Sequence, residues 1–204
     1  ASLGVPVLEE PRHAKGWIGG LLEQALGATA GSRAAPDFEA LGVEMKTLPV
    51  DATGLPLEST FVSSLNMNDS EALSAWERSP VRRKLARVLW VPIEGAREIP
   101  LGARRIGVAL LWSPDAEQEA ALRKDWEEIA DLIHAGFVEQ ITGHQGRYLQ
   151  LRPKGADGKA LRWGTGEFGE KVKVRPKGFY LRPSFTAELL RKSYVLPGPR
   201  GSGQ

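Results

Sequence analysis

The stretch PDFEALGVEMK, residues 36–46, decides the fold because it leads from a turn into a short strand that carries charged side chains. Acidic and basic residues occur in it in the order Asp37, Glu44 and Lys46. In a strand over residues 42–48 successive side chains alternate faces, so Glu44 and Lys46 project to one side, roughly 7 Å apart. The pattern predicts an acid and a lysine that share one surface of a strand.

This pair suits the metal-dependent hydrolysis of a phosphodiester. Carboxylates bind a hard cation, the cation neutralises the charge that develops on phosphorus, and a nearby lysine orients or deprotonates the attacking water. The alternative is a solvated strand edge, since an acid two residues before a lysine recurs at Asp157 and Lys159. The three-residue pattern alone leaves both interpretations open.

The composition predicts a globular protein without thiol chemistry. The chain has 204 residues, of which 42% are hydrophobic and 25% charged. No apolar run is long enough to cross a bilayer and the first residues do not resemble a signal peptide, so we expect a cytoplasmic protein. The absence of cysteine excludes thiolate ligands and the three histidines are scattered, so any metal must be bound by oxygen.

Charge is distributed unevenly along the chain. Residues 1–140 contain 14 Lys and Arg against 21 Asp and Glu, a net charge of −7, whereas residues 141–204 contain 13 against 4, a net charge of +9. A basic C-terminal third favours a polyanionic partner such as DNA, and a solvated basic face without a partner is the alternative.

Apolar periodicity and turn residues predict the other elements. A helix over residues 16–26 should end at Gly27, with Glu23 at the margin of its apolar face; an exposed helix glutamate without a role is the alternative. Strands are expected from Leu57 and over 87–94, 105–112, 147–152, 171–175 and 178–182. Further helices should follow Ser79 and Ser113 and run from Ser184 to Lys192. Loops are expected over 66–74 and 153–171.

The helix glutamate Glu23, the pair Pro36-Asp37 and the strand residues Glu44 and Lys46 together match the nuclease pattern PD-(D/E)xK. With these residues in place, the chain resembles the MutH family of methyl-directed DNA mismatch-repair endonucleases from Lys15 almost to Leu196. The landmarks, in the family's order, are KGWIG at 15–19, LLE at 21–23, DFEALGVEMKTLPVD at 37–51, PLESTFV at 56–62, VRRKL at 81–85, RVLWVPIEG at 87–95, LLWSP at 110–114, DWEE at 125–128, YLQLRPK at 148–154 and GFYL at 178–181.

The resemblance implies a mixed α/β fold of the restriction-endonuclease type, with a central mixed sheet flanked by helices and two lobes that form a DNA-binding cleft. Residues 1–204 are expected to form one nuclease domain. A lobe of about 1–90 should carry most of the catalytic site, and a lobe of about 91–196 the DNA-reading loop and the C-terminal helix. The composition of residues 197–204 predicts a disordered tail.

By the same resemblance, Glu23, Asp37 and Glu44 fall on the family's metal-site acids, with Mg²⁺ as the metal and the backbone carbonyl of Met45 as a further ligand. Lys46 falls on the catalytic lysine. The implied substrate is double-stranded DNA with an unmethylated or hemimethylated GATC site. Cleavage should fall on the 5′ side of the G in the unmethylated strand and leave a 5′-phosphate and a 3′-hydroxyl.

The resemblance also implies residues that contact DNA, although the residue types alone are equally compatible with ordinary structural positions. Arginine and lysine suit the two acceptors of guanine, and a tight apolar contact detects one added methyl group on adenine. From the residues alone, Phe61 suits a core position, Tyr180 a strand face, and the basic side chains an exposed surface. The implied positions are Lys15, Phe61, Lys84, Arg152, Pro153, Lys154, Gly155 and Tyr180.

Family resemblance further implies a monomer that nicks one strand and is activated by MutL, with ATP, after MutS finds a mismatch. A stand-alone restriction endonuclease of the same fold, which cuts both strands of GATC, is one alternative. A GATC-binding module whose acidic residues are structural is another.

Overall fold

The computed structural model describes residues 16–31, 35–67, 69–154, 162–165 and 170–194. Within these ranges the helices are α1 (Trp17–Leu26), α2 (Ser70–Ser74), α3 (Pro80–Leu85), α4 (Ala116–His134) and α5 (Pro183–Ser193). The strands are β1 (Glu44–Val50), β2 (Thr60–Ser64), β3 (Val88–Glu94), β4 (Leu110–Trp112), β5 (Leu149–Pro153), β6 (Arg162–Thr165), β7 (Lys171–Val174) and β8 (Lys177–Leu181).

The chain divides into two units that are each assembled from separate segments. The described residues within 1–58, 88–112 and 183–204 form the first unit, and those within 59–87 and 113–182 form the second. From the sequence, continuous lobes of about 1–90 and 91–196 are expected instead. The difference arises because β1 and β3 pair in parallel, and a parallel pair needs a long connection. This connection is residues 51–87, of which 59–87 belong to the second unit. The DNA-binding cleft stays a prediction.

The first unit contains a mixed sheet of strand order β1-β3-β4, in which β1 is parallel and β4 antiparallel to β3. Helix α1 packs against this sheet, because Ile18 and Leu22, four residues apart on one helix face, contact the buried cluster around Met45. The alternation of β1 directs Glu44 and Lys46 to the opposite side from Met45. Packing of α1 thereby fixes the face on which the charged pair lies.

The second unit contains an antiparallel sheet of order β2-β8-β5, with α4 against β5 and α3 against β2. In the central register, Phe61 of β2, Tyr180 of β8 and Gln150 of β5 lie side by side. The buried apolar residues of these strands are Val62, Leu149, Leu151, Phe179 and Leu181. Strands β6 and β7 form a separate antiparallel pair.

The segment that leads into β5 is held by two charged side chains. The buried carboxylate of Asp125 in α4 accepts hydrogen bonds from the three backbone N–H groups of residues 147–149, at 2.6 to 2.8 Å. The guanidinium of Arg182 donates to three carbonyl groups within residues 143–146, at 2.6 to 3.1 Å. Polar backbone groups that would otherwise be buried without partners are thus satisfied, and the start of β5 is fixed.

The mixed α/β class predicted from the sequence is confirmed. The helix that ends at Gly27 is also confirmed, with Gly27 at a φ of 79°. Two predicted loops are wrong: residues 66–74 include α2, capped by the side chain of Asp69, and residues 153–171 include β6. Both elements are too short to show a period in the sequence.

No helix in the described ranges is long and apolar enough to span a membrane. The cytoplasmic location stays a prediction. The residues expected to form a disordered tail lie outside the described ranges.

Candidate active site

A tight turn brings Asp37 beside the first strand. Phe38 and Val43 exchange backbone hydrogen bonds at 2.9 and 3.3 Å, and Gly42 between them has a φ of 62°, in the region that favours glycine. The Oδ2 atom of Asp37 accepts a hydrogen bond of 2.8 Å from the backbone N–H of Met45. The acid that precedes the turn is therefore fixed to the start of β1.

Glu44 and Lys46 are in direct contact. The Nζ atom of Lys46 donates to Oε1 of Glu44 at 2.5 Å. Glu44 is only 1% exposed, and the Lys46 side chain is 13% exposed. The predicted common face is thus confirmed, and the buried carboxylate is compensated by an adjacent ammonium group.

Glu23 is half-buried on α1, one helical turn after Gly19. A Cβ atom on Gly19 would lie 3.8 Å from the side chain of Thr47, so α1 approaches β1 closely there. Within the described ranges, however, no three histidine or carboxylate side chains form a group that could hold a metal ion. The joint metal site of Glu23, Asp37 and Glu44 remains a prediction.

The chemistry of the donors at this strand suits a hard divalent cation. Asp37 and Glu44 carry carboxylate oxygens, and the carbonyl of Met45 adjoins Glu44 in the chain. Oxygen ligands of this kind are those that Mg²⁺ prefers. The residues present therefore fit magnesium.

Phe61 and Tyr180 form an aromatic pair on the β2-β8-β5 sheet of the second unit. They are opposite each other in the register, with ring centroids 5.3 Å apart and an interplanar angle of 66°. Gly178 leaves room for the Phe61 ring, since a Cβ atom there would lie 2.9 Å from its Cε2 atom. Both aromatic residues are half-buried, so neither ring is fully enclosed in the core or fully exposed to solvent.

Each ring of this pair carries one of the exposed cations predicted to contact DNA. The guanidinium carbon of Arg152 lies 5.8 Å from the centroid of the Tyr180 ring. The Nζ atom of Lys154 lies 4.7 Å from the centroid of the Phe61 ring. Two predicted cations and two predicted aromatic residues, from three different strands or their ends, are thus brought together.

Two further residues predicted to contact DNA lie on elements of the same unit. Pro153 is exposed at the end of β5, between the two cations. Lys84 is half-buried on α3, the helix that packs against β2. Lys15 and Gly155 lie outside the described residues.

Two serines at this surface were not predicted as site residues. Ser59 accepts a hydrogen bond from Arg152, and Ser64 accepts one from Lys154. Serine is too common at strand ends for its position to indicate a site. The signal lies in the sheet order, because only the pairing of β2 and β5 with β8 brings residues about 90 positions apart into contact.

Comparison with known proteins identifies the family. The family model described as "DNA mismatch repair enzyme MutH" matches residues 26–125. A DNA mismatch repair protein MutH of Klebsiella pneumoniae (strain 342) is 52% identical over 196 residues, which are 96% of this chain and 84% of the relative. The chain belongs to the MutH family.

Other MutH relatives agree. The Pasteurella multocida (strain Pm70) protein is 52% identical over 191 residues, 94% of this chain and 86% of its own length. The Haemophilus influenzae (strain PittEE) protein is 54% identical over 188 residues, 92% of this chain and 84% of its own length. The MutH resemblance and the restriction-endonuclease-like fold predicted from the landmark sequences are confirmed.

Proposed function

We propose that this chain is the DNA mismatch-repair endonuclease that nicks the unmethylated strand at GATC sites, with Mg²⁺ as its cofactor. The observation that carries the proposal is the contact of Glu44 with Lys46 beside Asp37, in a chain of the MutH family. Hydrolysis of a phosphodiester requires metal-binding acids and a lysine, and both residue types meet here at the start of β1.

In this proposal, Glu23, Asp37, Glu44 and the carbonyl of Met45 would hold the cation. When bound, Mg²⁺ supplies charge neutralisation at the scissile phosphate. The ammonium group of Lys46, held by Oε1 of Glu44, orients the attacking water and stabilises negative charge that develops on the phosphate oxygens. Breaking the bond from phosphorus to the 3′ oxygen leaves the 5′-phosphate and the 3′-hydroxyl.

In this proposal, the aromatic and basic face of the second unit recognises the GATC bases. The N–H donors of Arg152 and Lys154 match the O6 and N7 acceptors of guanine in the major groove. Pro153 and Tyr180 supply the apolar contact around the adenine amino group, where one added methyl group causes a clash. Lys15, Phe61, Lys84 and Gly155 contribute contacts that position the DNA.

The proposal includes one active site per monomer, which accounts for a nick in place of a double-strand break. It also includes activation by MutL with ATP after MutS has found a mismatch. Support for these partners comes from family membership, since the relatives are named as DNA mismatch repair proteins.

The test is cleavage of a supercoiled plasmid with a GATC site in unmethylated, hemimethylated and fully methylated forms, with Mg²⁺ or EDTA, and with or without MutL and ATP. With Mg²⁺, we expect a nicked product from the unmethylated and hemimethylated plasmids, and no product from the fully methylated plasmid. A linear product from single encounters without MutL would favour a stand-alone restriction endonuclease. Tight GATC binding with no cleavage under any condition would leave a binding module.

A further inference from the structure

The two cations of the proposed reading face are held in the same way. Arg152 lies on the ring of Tyr180 and donates from Nη1 to Oγ of Ser59 at 3.1 Å. Lys154 lies on the ring of Phe61 and donates from Nζ to Oγ of Ser64 at 2.6 Å. Each exposed cation is thus fixed from one side by an aromatic ring and from another by a serine hydroxyl.

The Ser59 hydroxyl is itself anchored from the interior. Its Oγ atom also accepts a hydrogen bond of 2.9 Å from Nε2 of Gln150, a residue that is 5% exposed. The other end of the Gln150 amide packs against Gly143, since a Cβ atom on Gly143 would lie 3.3 Å from the amide oxygen. A buried amide therefore sets the position of the hydroxyl that receives Arg152.

Such contacts reduce the entropic cost of binding. Arginine and lysine side chains have many rotamers, and immobilising one on a ligand opposes binding because that rotamer freedom is lost. A cation already held over an aromatic face and on a hydroxyl has lost part of that freedom before DNA arrives. An arginine also needs a defined orientation, because its two N–H donors must meet both acceptors of one guanine.

We infer that Ser59 and Ser64 are positioning residues for DNA recognition: Ser59, anchored by Gln150, orients Arg152, and Ser64 orients Lys154. This inference rests on the proposed function, in which these cations read GATC. Each serine acts through one cation, so the effect of its loss should disappear when that cation is absent.

Two double-mutant cycles test the inference, with duplex binding measured by fluorescence anisotropy for a GATC duplex and for the same duplex with a scrambled site. Ser59→Ala and Ser64→Ala should each reduce the ratio of the two affinities by about 3- to 10-fold. Ser59→Ala should have no further effect in Arg152→Ala, and Ser64→Ala none in Lys154→Ala. The crossed pair, Ser59→Ala with Lys154→Ala, should be closer to additive.

Two matched variants serve as controls. Ser59→Thr retains the hydroxyl and should keep the affinity ratio. Ser74→Ala removes a serine that accepts from Arg78, outside the proposed reading face, and should leave the ratio unchanged.

The outcomes separate the inference from the function on which it rests. If Arg152→Ala and Lys154→Ala reduce the ratio while the serine variants do not, or if serine and cation effects add fully, the positioning role is wrong and the proposed function stands. Tighter GATC binding by the serine variants would equally contradict the positioning role, because the serines would then compete with DNA for the two cations. If the cation variants leave the ratio unchanged, both the inference and the assigned reading face are overturned.

Discussion

Lys46 donates a hydrogen bond of 2.5 Å to Glu44, a carboxylate that is almost wholly buried in the first unit. The contact joins residues two apart on β1 and places an ammonium group beside the acid that is proposed to bind metal. A buried carboxylate without its partner would carry a large desolvation cost. The pair is therefore expected to matter for stability as well as for cleavage.

Lys46→Ala should abolish nicking and also destabilise the chain. Removing one partner of a buried pair costs about 3 kcal/mol or more, because the other charge remains buried. The double variant Glu44→Gln, Lys46→Ala should recover much of that stability and none of the activity. Urea unfolding and plasmid nicking measure the two effects separately. Full stability in the single variant would show that the contact does not compensate Glu44.

Asp125→Asn should weaken the second unit. Its carboxylate accepts three backbone hydrogen bonds at the entry to β5, and an amide provides a single, uncharged acceptor oxygen. We expect a loss of about 2–4 kcal/mol in the free energy of unfolding. Asp131→Asn, at an exposed position on the same helix, is the matched control and should change it little. Equal effects of the two substitutions would show that the three hydrogen bonds to Asp125 do not stabilise the second unit.

Gly178→Ala should disturb the aromatic pair. The added methyl group would lie 2.9 Å from the Phe61 ring and 3.0 Å from the carbonyl oxygen of Ser63, so the ring or the strand must shift. Weaker GATC binding and a stability loss of about 1–3 kcal/mol are expected. Gly20→Ala on α1 meets no atom within 4 Å and serves as control. An unchanged affinity for GATC in Gly178→Ala would argue that the Phe61 ring takes no part in binding.

Lys177 should make stability depend on pH in the alkaline range. Burial lowers the pKa of Lys177 from its ordinary value of 10.5, and a smaller attraction from Glu139 acts in the opposite direction. The unfolded chain therefore binds more protons between the folded and unfolded pKa values, and the free energy of unfolding rises with pH as the buried lysine loses its proton.

The measurement is urea unfolding at several pH values up to about 10 for the chain and for Lys177→Met. The stability of the chain relative to the variant should increase with pH over that window. Lys173→Met, at an exposed position on β7, should show no such difference. A relative stability that stays flat or falls with rising pH would contradict the effect of burial.

The sequence predicts the geometry of the acid and lysine pair better than that of the aromatic and basic face. The common face of Glu44 and Lys46 follows from strand alternation, which depends only on neighbouring residues, whereas their direct contact is seen only in the structure. The arrangement of Phe61, Tyr180 and Arg152 depends on the pairing of three strands that are distant in the chain, and local patterns do not contain that register. Family resemblance supplied those residues, whereas Ser59 and Ser64 emerged only from the sheet order.

Strand-specific nicking is tested most directly by cleavage of a hemimethylated GATC duplex with a different label at each 5′ end, in the presence of Mg²⁺, MutL and ATP. We expect that only the unmethylated strand is cut, on the 5′ side of the G and with a 3′-hydroxyl end, and that Lys46→Ala shows no cut. Cleavage of both strands, or cleavage that persists in Lys46→Ala, would contradict this expectation.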